Sequence, residues 1–326
     1  MSTATRPLPP PTSERGLPVA APHLTAARSR VVARLQDYAE LTKLSVTTLI
    51  IMTAWCGFYF GAFKSGVSSV SWQLVHGLLG IGLVAGGTAA LNEVLERDVD
   101  GRMRRTATRP LPAKRMCLTH ATLVGGLMTL GGTAYLALAT NPLTGLLTLA
   151  TSVSYLAAYT PLKKIHPICT LVGAFPGAMP GVLGWTAARG RLDWEALVLF
   201  AIVFLWQFPH FHSIAWLYQE DYARGYIRML PVVETDGRST AREIVLYSLA
   251  LIPITIAPSF LGMAGRVYLL SAIALGIVLL WFGVRLARLR LPPASARSKK
   301  AARQLLQATV FYLPLLFGLM MLNTAR

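Results

Sequence analysis

The sequence predicts an all-α fold, a polytopic membrane bundle of nine transmembrane helices with a cytoplasmic N-terminus. Three observations predict it. The 326 residues are 54% hydrophobic and 14% charged, with a mean hydropathy of +0.51, and few soluble domains are so apolar. Nine apolar stretches lie at about 44–63, 72–92, 117–139, 143–160, 168–187, 195–216, 243–262, 267–287 and 305–323. Each suits, or nearly suits, a ~20-residue crossing. With the N-terminus inside, the tail and the loops after stretches two, four, six and eight hold 26 of the 31 Lys and Arg residues. Lys64, Arg189, Arg191, Arg266 and Arg326 are left to the other side. That is the asymmetry of the positive-inside rule.

Taken in order, residues 1–30 hold six prolines with several Ser and Thr and no apolar core of signal-peptide length. The sequence predicts a disordered cytoplasmic tail over 1–37 and one intramembrane domain over 38–326. Arg6, Arg15, Arg28 and Arg30 admit a mitochondrial transit peptide as the minority reading, which the proline density weakens. A bacterial plasma membrane is therefore preferred to a mitochondrial inner membrane. Gly86-Gly87, Gly125-Gly126 and Gly131-Gly132 are expected to let helices approach closely. Pro176 and Pro180 are expected to kink or break the fifth stretch, with freed carbonyls facing protein or a wet cavity. Cys56, Cys117 and Cys169 show no CxxC spacing, so neither zinc nor a disulfide framework is expected. The net charge of +17 comes without an aromatic-interleaved basic stripe, and topology explains it without nucleic acid.

The stretch that carries chemistry follows the second apolar segment: NEVLERDVDGRMRRTATRPLP, from Asn92 to Pro112. Asn92, Glu96 and Asp100 are spaced i, i+4, i+8 and fall within ~80° on a helix. One amide and two carboxylates converging there suit a hard divalent cation. Arg102, Arg104, Arg105 and Arg109 follow as donors for phosphate or carboxylate oxygens. Asp98, ~240° from Asn92 on an ideal helix, is expected to face elsewhere or to bind only beyond the helix end. A second acidic–basic patch, Glu220 and Asp221 with Arg224 and Arg228, closes the sixth stretch on the same side of the membrane. Two such clusters at one depth can share a metal and hold a diphosphate. The loop YTPLKK offers Lys163 as a further phosphate contact, against the plainer reading of a topology-setting lysine. His210 and His212 lie inside the membrane, where a histidine is a functional candidate or simply a hydrogen bond to a neighbouring helix. The seven Lys and Arg residues of 285–303 read as a connector attracted to anionic headgroups.

These motifs resemble the protoheme IX farnesyltransferases (haem O synthases) of the intramembrane polyprenyltransferase superfamily. The resemblance spans roughly residues 38–320. Its carriers are ERDVDGRMRRT, YTPLKK, the run from Gly173 through Pro180 to Trp185, and PHF…EDYARG…MLP from Pro209 to Pro231. An Asn followed by acids four and eight residues later is general to the superfamily. The longer continuations are particular to the haem enzymes. Four positions depart from the family pattern. Glu96 stands where Asp is frequent, Cys169 where Asn is common, Gly181 replaces a second Pro, and Gly225 stands where a further Asp often follows Asp221.

The resemblance implies a prenyltransferase domain at 38–326 that converts farnesyl diphosphate and haem B into haem O and diphosphate, consuming one water. It implies Mg²⁺ on Glu96, Asp100 and Asp221, with Asn92 orienting or ligating. Arg105, Arg109, Lys163 and Arg224 would bind diphosphate, and His210 is the candidate for haem. Implied partners are the two substrates, membrane lipid and a downstream haem A synthase, with no nucleic acid. Two rivals stand beside it: the same reaction type on a quinone precursor or chlorophyllide, and a transporter, against which the acids cluster at one face rather than at the midplane.

Overall fold

The computed structural model describes residues 22–324, with side chains described from Val31 onward. Helix α1 (Pro22–Leu41) precedes α2 (Leu44–Lys64) and α3 (Trp72–Asp100), and α4 (Leu118–Ala139) leads into α5 (Pro142–Val153). A π turn, Ser154–Tyr159, and a short α6 (Thr160–Leu162) continue α5. Next come α7 (Cys169–Arg189), α8 (Trp194–Leu217), α9 (Gln219–Arg224) and α10 (Leu230–Val233). Three long helices end the chain: α11 (Arg238–Phe260), α12 (Arg266–Arg288) and α13 (Ala296–Leu322). No strand forms among the described residues beyond the isolated bridge Ala264–Thr324.

The all-α membrane architecture is as expected. Seven helices among the described residues, α2, α3, α4, α8, α11, α12 and α13, are long and apolar enough to cross a membrane. The two remaining expected crossings are helical but different in kind. The run 142–162 is interrupted by the π turn. Helix α7 is diluted by Gly and Pro, and it is buried along most of its length. A helix enclosed by protein does not need the apolarity that lipid demands. Residues such as Leu127, Leu138, Leu270 and Phe311 remain exposed and form the outer apolar surface.

The tail expectation needs correcting. Residues 1–21 lie outside the described residues, but 22–37 belong to α1 rather than to an irregular tail. Arg115 of the α3–α4 loop explains the docking of α1. Its Nε donates to Asp37 at 2.7 Å and its Nη2 to Glu40 at 2.9 Å. The Tyr38 hydroxyl also meets His120 Nε2 at 2.6 Å.

Helices α2, α3, α4, α5 and α7 pack as one group and α8, α11, α12 and α13 as another, joined through α7–α8. The larger core cluster unites both, with Trp185, Trp216, Ile202, Tyr268 and Leu305 in it. At the seam α2 and α7 almost touch. A Cβ on Gly184 would fall 1.8 Å from the Ala54 carbonyl oxygen, and one on Gly57 would fall 1.9 Å from that of Gly181. The expected glycine pairs serve packing only in part. Gly86, Gly87, Gly125 and Gly132 face close neighbours, whereas Gly126 and Gly131 face open space. Helix α4 meets α3 on one face, so only one glycine of each adjacent pair on α4 serves, whereas Gly86 and Gly87 of α3 both have neighbours. Pro176 and Pro180 leave α7 continuous. The side chain of Gln207 packs against Gly177 and donates to the Ala174 carbonyl at 3.0 Å.

Helix direction sets two polar ends. One carries Lys64 paired with Glu195, and Arg189 with Asp193 at 2.6 Å. The other carries the ends of α3 and α8 with α9. Replacing Gly184 by Ala should force α2 from α7 and lower the unfolding midpoint, an overpacking cost of about 1–3 kcal/mol. Gly126→Ala should leave it unchanged. Thermal unfolding in detergent checks both.

Candidate functional site

The site begins at the last two turns of α3. Asn92, Glu93, Glu96 and Asp100 are all buried there, and a buried carboxylate persists only when paired. Asn92, Glu96 and Asp100 find their partners on different segments. Lys163, just after α6, holds Glu96 through Nζ at 2.9 and 3.2 Å. Arg109, in the loop after α3, reaches back to Asp100 at 2.7 Å. Lys43, before α2, donates to Asn92 Oδ1 at 2.6 Å, and Asn92 Nδ2 donates to Thr160 at 3.1 Å. The expected face of Asn92, Glu96 and Asp100 is thus real, and each of its members is engaged by a different segment. Asp98 points outward with its carboxylate exposed, paired only with neighbouring Arg97.

The second corner is α9. Asp221 is buried and accepts three hydrogen bonds: from the backbone N–H of Arg104 at 3.3 Å, from that of Arg105 at 3.4 Å, and from Arg224 Nη2 at 2.5 Å. The loop that starts at Gly101 is therefore gripped from both sides. Arg109 and the Thr106 hydroxyl bind it to Asp100, the latter at 2.9 Å through the Asp100 carbonyl. Beneath it Val99, Met103 and Ile227 form a small apolar cluster with Tyr222 and Met229. The backbone of Arg228 donates to the Lys163 carbonyl at 2.8 Å and ties in the third segment. The two acidic patches do meet. They meet through this loop.

Cations surround the junction. The Arg105 guanidinium lies over the Tyr218 ring, 5.3 Å from its centroid, and Lys163 Nζ lies 4.4 Å from that of Tyr159. Gly173 makes room for the Tyr159 ring, which lies 2.5 Å from where a Cβ would stand. Burial alone would depress the Lys163 ammonium, but the Tyr159 and Tyr155 phenols and the Glu96 carboxylate outweigh it. They hold it well above the ordinary lysine range. Burial raises the Tyr222 phenol, so it stays protonated at the junction.

Glu96, Asp100 and Asp221 offer the hard oxygens that Mg²⁺ takes, and they lie at one end of the bundle. Among the described residues, however, no three His, Cys, Asp or Glu side chains converge into an ion site. The expected three-carboxylate set is not preassembled, because each member is neutralised by its own cation. Such a donor set still fits an ion that arrives with phosphate oxygens, since Mg²⁺ seldom occupies an all-protein cage. The anion would also give Lys163, Arg109 and Arg224 a second partner.

The two histidines take the plainer of their two expected geometries, a hydrogen bond to a neighbouring helix. His210 sits apart from the acidic junction: its Nδ1 meets Thr309 of α13 at 2.9 Å and its ring stacks on Trp206 at 4.7 Å. His212 pairs with Glu243 of α11 at 2.7 Å. Exposed Glu220 does not join Asp221; Lys299 binds it at 2.8 Å and holds its carboxyl below the usual glutamate range. Glu93, Lys43 and Thr160 were missed. Glu93 lies off the i, i+4, i+8 series, yet its Oε1 accepts the Leu111 N–H at 3.2 Å while Oε2 has no partner among the described residues. The only available signal was a carboxylate next to Asn92 inside an apolar run.

Residues 49–321 match the UbiA prenyltransferase family. The chain belongs to that family. It is 64% identical over 300 residues to the protoheme IX farnesyltransferase of Koribacter versatilis (strain Ellin345), a comparison that covers 92% of this chain and 97% of that one. It is 47% identical over 297 residues to the protoheme IX farnesyltransferase of Solibacter usitatus (strain Ellin6076), covering 89% and 99%. Two solved structures share the UbiA fold at low identity. A digeranylgeranylglyceryl phosphate synthase aligns with TM-score 0.72 at 13% identity, covering 90% of this chain and 99% of that one. A UbiA homolog from Archaeoglobus fulgidus, bound to GPP and Mg²⁺, aligns with TM-score 0.59 at 15% identity, covering 87% and 99%.

If Asp221 anchors the α3–α4 loop, Asp221→Ala should free the backbone at Arg104 and Arg105. Losing its charge-assisted hydrogen bonds should raise tryptic cleavage there by about tenfold or more. A digestion course unchanged from wild type would show that the loop is held by other contacts.

Proposed function

We infer that this UbiA-family protein transfers the farnesyl group of farnesyl diphosphate to the vinyl group of haem B, giving haem O. The observation that carries the reading is the meeting of two buried acidic corners with four cations at one end of a membrane bundle. The 64% identity to a protoheme IX farnesyltransferase over nearly the whole of both chains supports the choice of acceptor. The protein is an integral membrane enzyme. In the full reading α5–α6 and α7 cross as well, which makes nine crossings. The site-bearing end then faces the cytoplasm of a bacterium, as the Lys and Arg distribution favours.

Arg105, Arg109, Lys163 and Arg224 bind the diphosphate oxygens; the arginines present forked donors and the lysine a point charge. Glu96, Asp100 and Asp221, with Asn92 beside them, would hold Mg²⁺, which when bound neutralises charge on the leaving group. Most of the barrier lowering is electrostatic, aimed at the charge that builds on diphosphate as its bond to farnesyl C1 breaks. The allylic cation left behind is attacked by the electron-rich vinyl carbon of haem. Water adds to the new cation beside the porphyrin and loses a proton, leaving a hydroxyl. Tyr159 and Tyr222 shield the junction, and the hydrocarbon tail lies toward lipid. No protein nucleophile is required. His210, on α8 against α13, is the candidate for positioning the haem. A haem A synthase is the proposed consumer of the product.

Purified protein given labelled farnesyl diphosphate, haem B and Mg²⁺ should yield farnesylated haem by mass spectrometry. Chelation with EDTA should abolish the product and added Mg²⁺ restore it. Asp100→Ala should cut turnover by at least ~1000-fold while the protein still inserts. Near-wild-type activity would remove Asp100 from the site. Preference for a quinone precursor or chlorophyllide in competition would change the acceptor, and bound but unreacted substrates would favour transport.

A further inference from the structure

A groove of about 430 Å³ lies between α12 and α13, away from the acidic junction, within the ~300–1,000 Å³ range of ligand sites. Its apolar walls include Leu275, Val278 and Phe282 from α12, and Ala308, Phe311 and Leu315 from α13. Gln304 and Gln307 also line it. Gln304 Oε1 is shielded from solvent and has no hydrogen-bond partner among the described residues. Both glutamines precede the apolar lining on α13, so they mark the end nearest the α12–α13 connector. The pair Glu220–Lys299 places that connector at the site-bearing end of the bundle.

Helical spacing carries the groove into a cluster of charge. One turn before Gln304 and Gln307 stand Lys300 and Arg303, and one turn after Phe282 comes Arg285. All three are exposed and none forms an ion pair among the described residues. The sequence has no Asp or Glu after Glu243, so nothing nearby on these helices neutralises them. The Arg285 guanidinium lies 5.5 Å from the ring centroid of Trp281, a residue type enriched at membrane interfaces.

We propose that this groove is a binding site for a phospholipid with an anionic headgroup. An acyl chain fills the apolar furrow, the phosphate lies against Arg285, Lys300 and Arg303, and a headgroup hydroxyl donates to Gln304. The basic connector then anchors the second half of the bundle in an anionic leaflet. Topology alone explains the positive residues. It does not explain a furrow that ends on them with an unpartnered acceptor at its mouth.

Native mass spectrometry of the full chain, equilibrated in detergent with equal dioleoylphosphatidylglycerol and dioleoylphosphatidylcholine, tests this. Wild type should retain phosphatidylglycerol about tenfold or more over phosphatidylcholine. A triple variant, Arg285→Gln with Lys300→Gln and Arg303→Gln, should bring the ratio near one, at about fivefold for each cation in isolation. Val278→Trp, which fills the furrow and leaves the cations, should lower retention of both lipids. Equal retention of the two lipids by wild type would overturn the proposal, as would an unchanged preference in the triple variant. So would full phosphatidylglycerol retention by Val278→Trp, which would mean diffuse attraction to a basic surface. Should the triple variant fail to fold, a fluorescence measurement takes its place. Brominated phosphatidylglycerol should then quench fluorescence by a component that Trp281→Phe removes, and persistence of that component would equally overturn the seat.

Discussion

The loop between α3 and α4 is held by carboxylates that are buried and therefore cannot stay unpaired. Asp100 takes Arg109 from its far side, while Asp221 takes the backbone N–H groups of Arg104 and Arg105 and the Arg224 side chain. The cost of leaving such a charge alone in a low-dielectric interior is several kcal/mol, which is enough to decide where a loop lies. The same constraint pulls Lys163 to Glu96, while Lys43 donates to the uncharged Asn92 amide. The segments before α2, after α3, after α6 and at α9 thus meet at one end of the bundle. The helices supply the frame; electrostatics assembles the site on it.

That assembly explains how the proposed diphosphate site can do without a finished metal cage. Glu96, Asp100 and Asp221 are each paired with a cation in the described residues, so these three charges are compensated as they stand. A diphosphate bringing a divalent ion would let the carboxylates turn to the metal and the cations to phosphate. The net charge of the enclosed space would change little in that exchange, and burying charge is costly mainly when it is uncompensated. The apolar cluster of Val99, Met103 and Ile227 beneath the loop limits water around the exchange.

Packing serves the same end. The glycines at 57, 181 and 184 let α2 and α7 approach until backbone oxygens meet Cα positions, so α7 can run through the middle of the bundle despite Pro176 and Pro180. Helix α7 in turn carries Gly173, against which Tyr159 lies, and Tyr159 shields Lys163. A change in helix-to-helix spacing at the seam would therefore be felt at the ion pair.

The sequence by itself determined the all-α membrane class, the side on which positive charge gathers, and the shared face of Asn92, Glu96 and Asp100. All of these follow from composition and from the 3.6-residue period, which are local properties. It also placed Asp98 off that face. Only the tertiary structure decided which cation meets which carboxylate. Glu220 and Asp221 are neighbours in the chain, yet one faces Lys299 and solvent and the other the α3–α4 loop. Nothing in the pattern of α3 marked Glu93 as the anchor of Leu111, or Lys43 as the partner of Asn92. Those pairings join residues that are 18 and 49 positions apart. Their partners are chosen by how the helices pack and by which charges that packing buries, and periodicity along one helix contains neither.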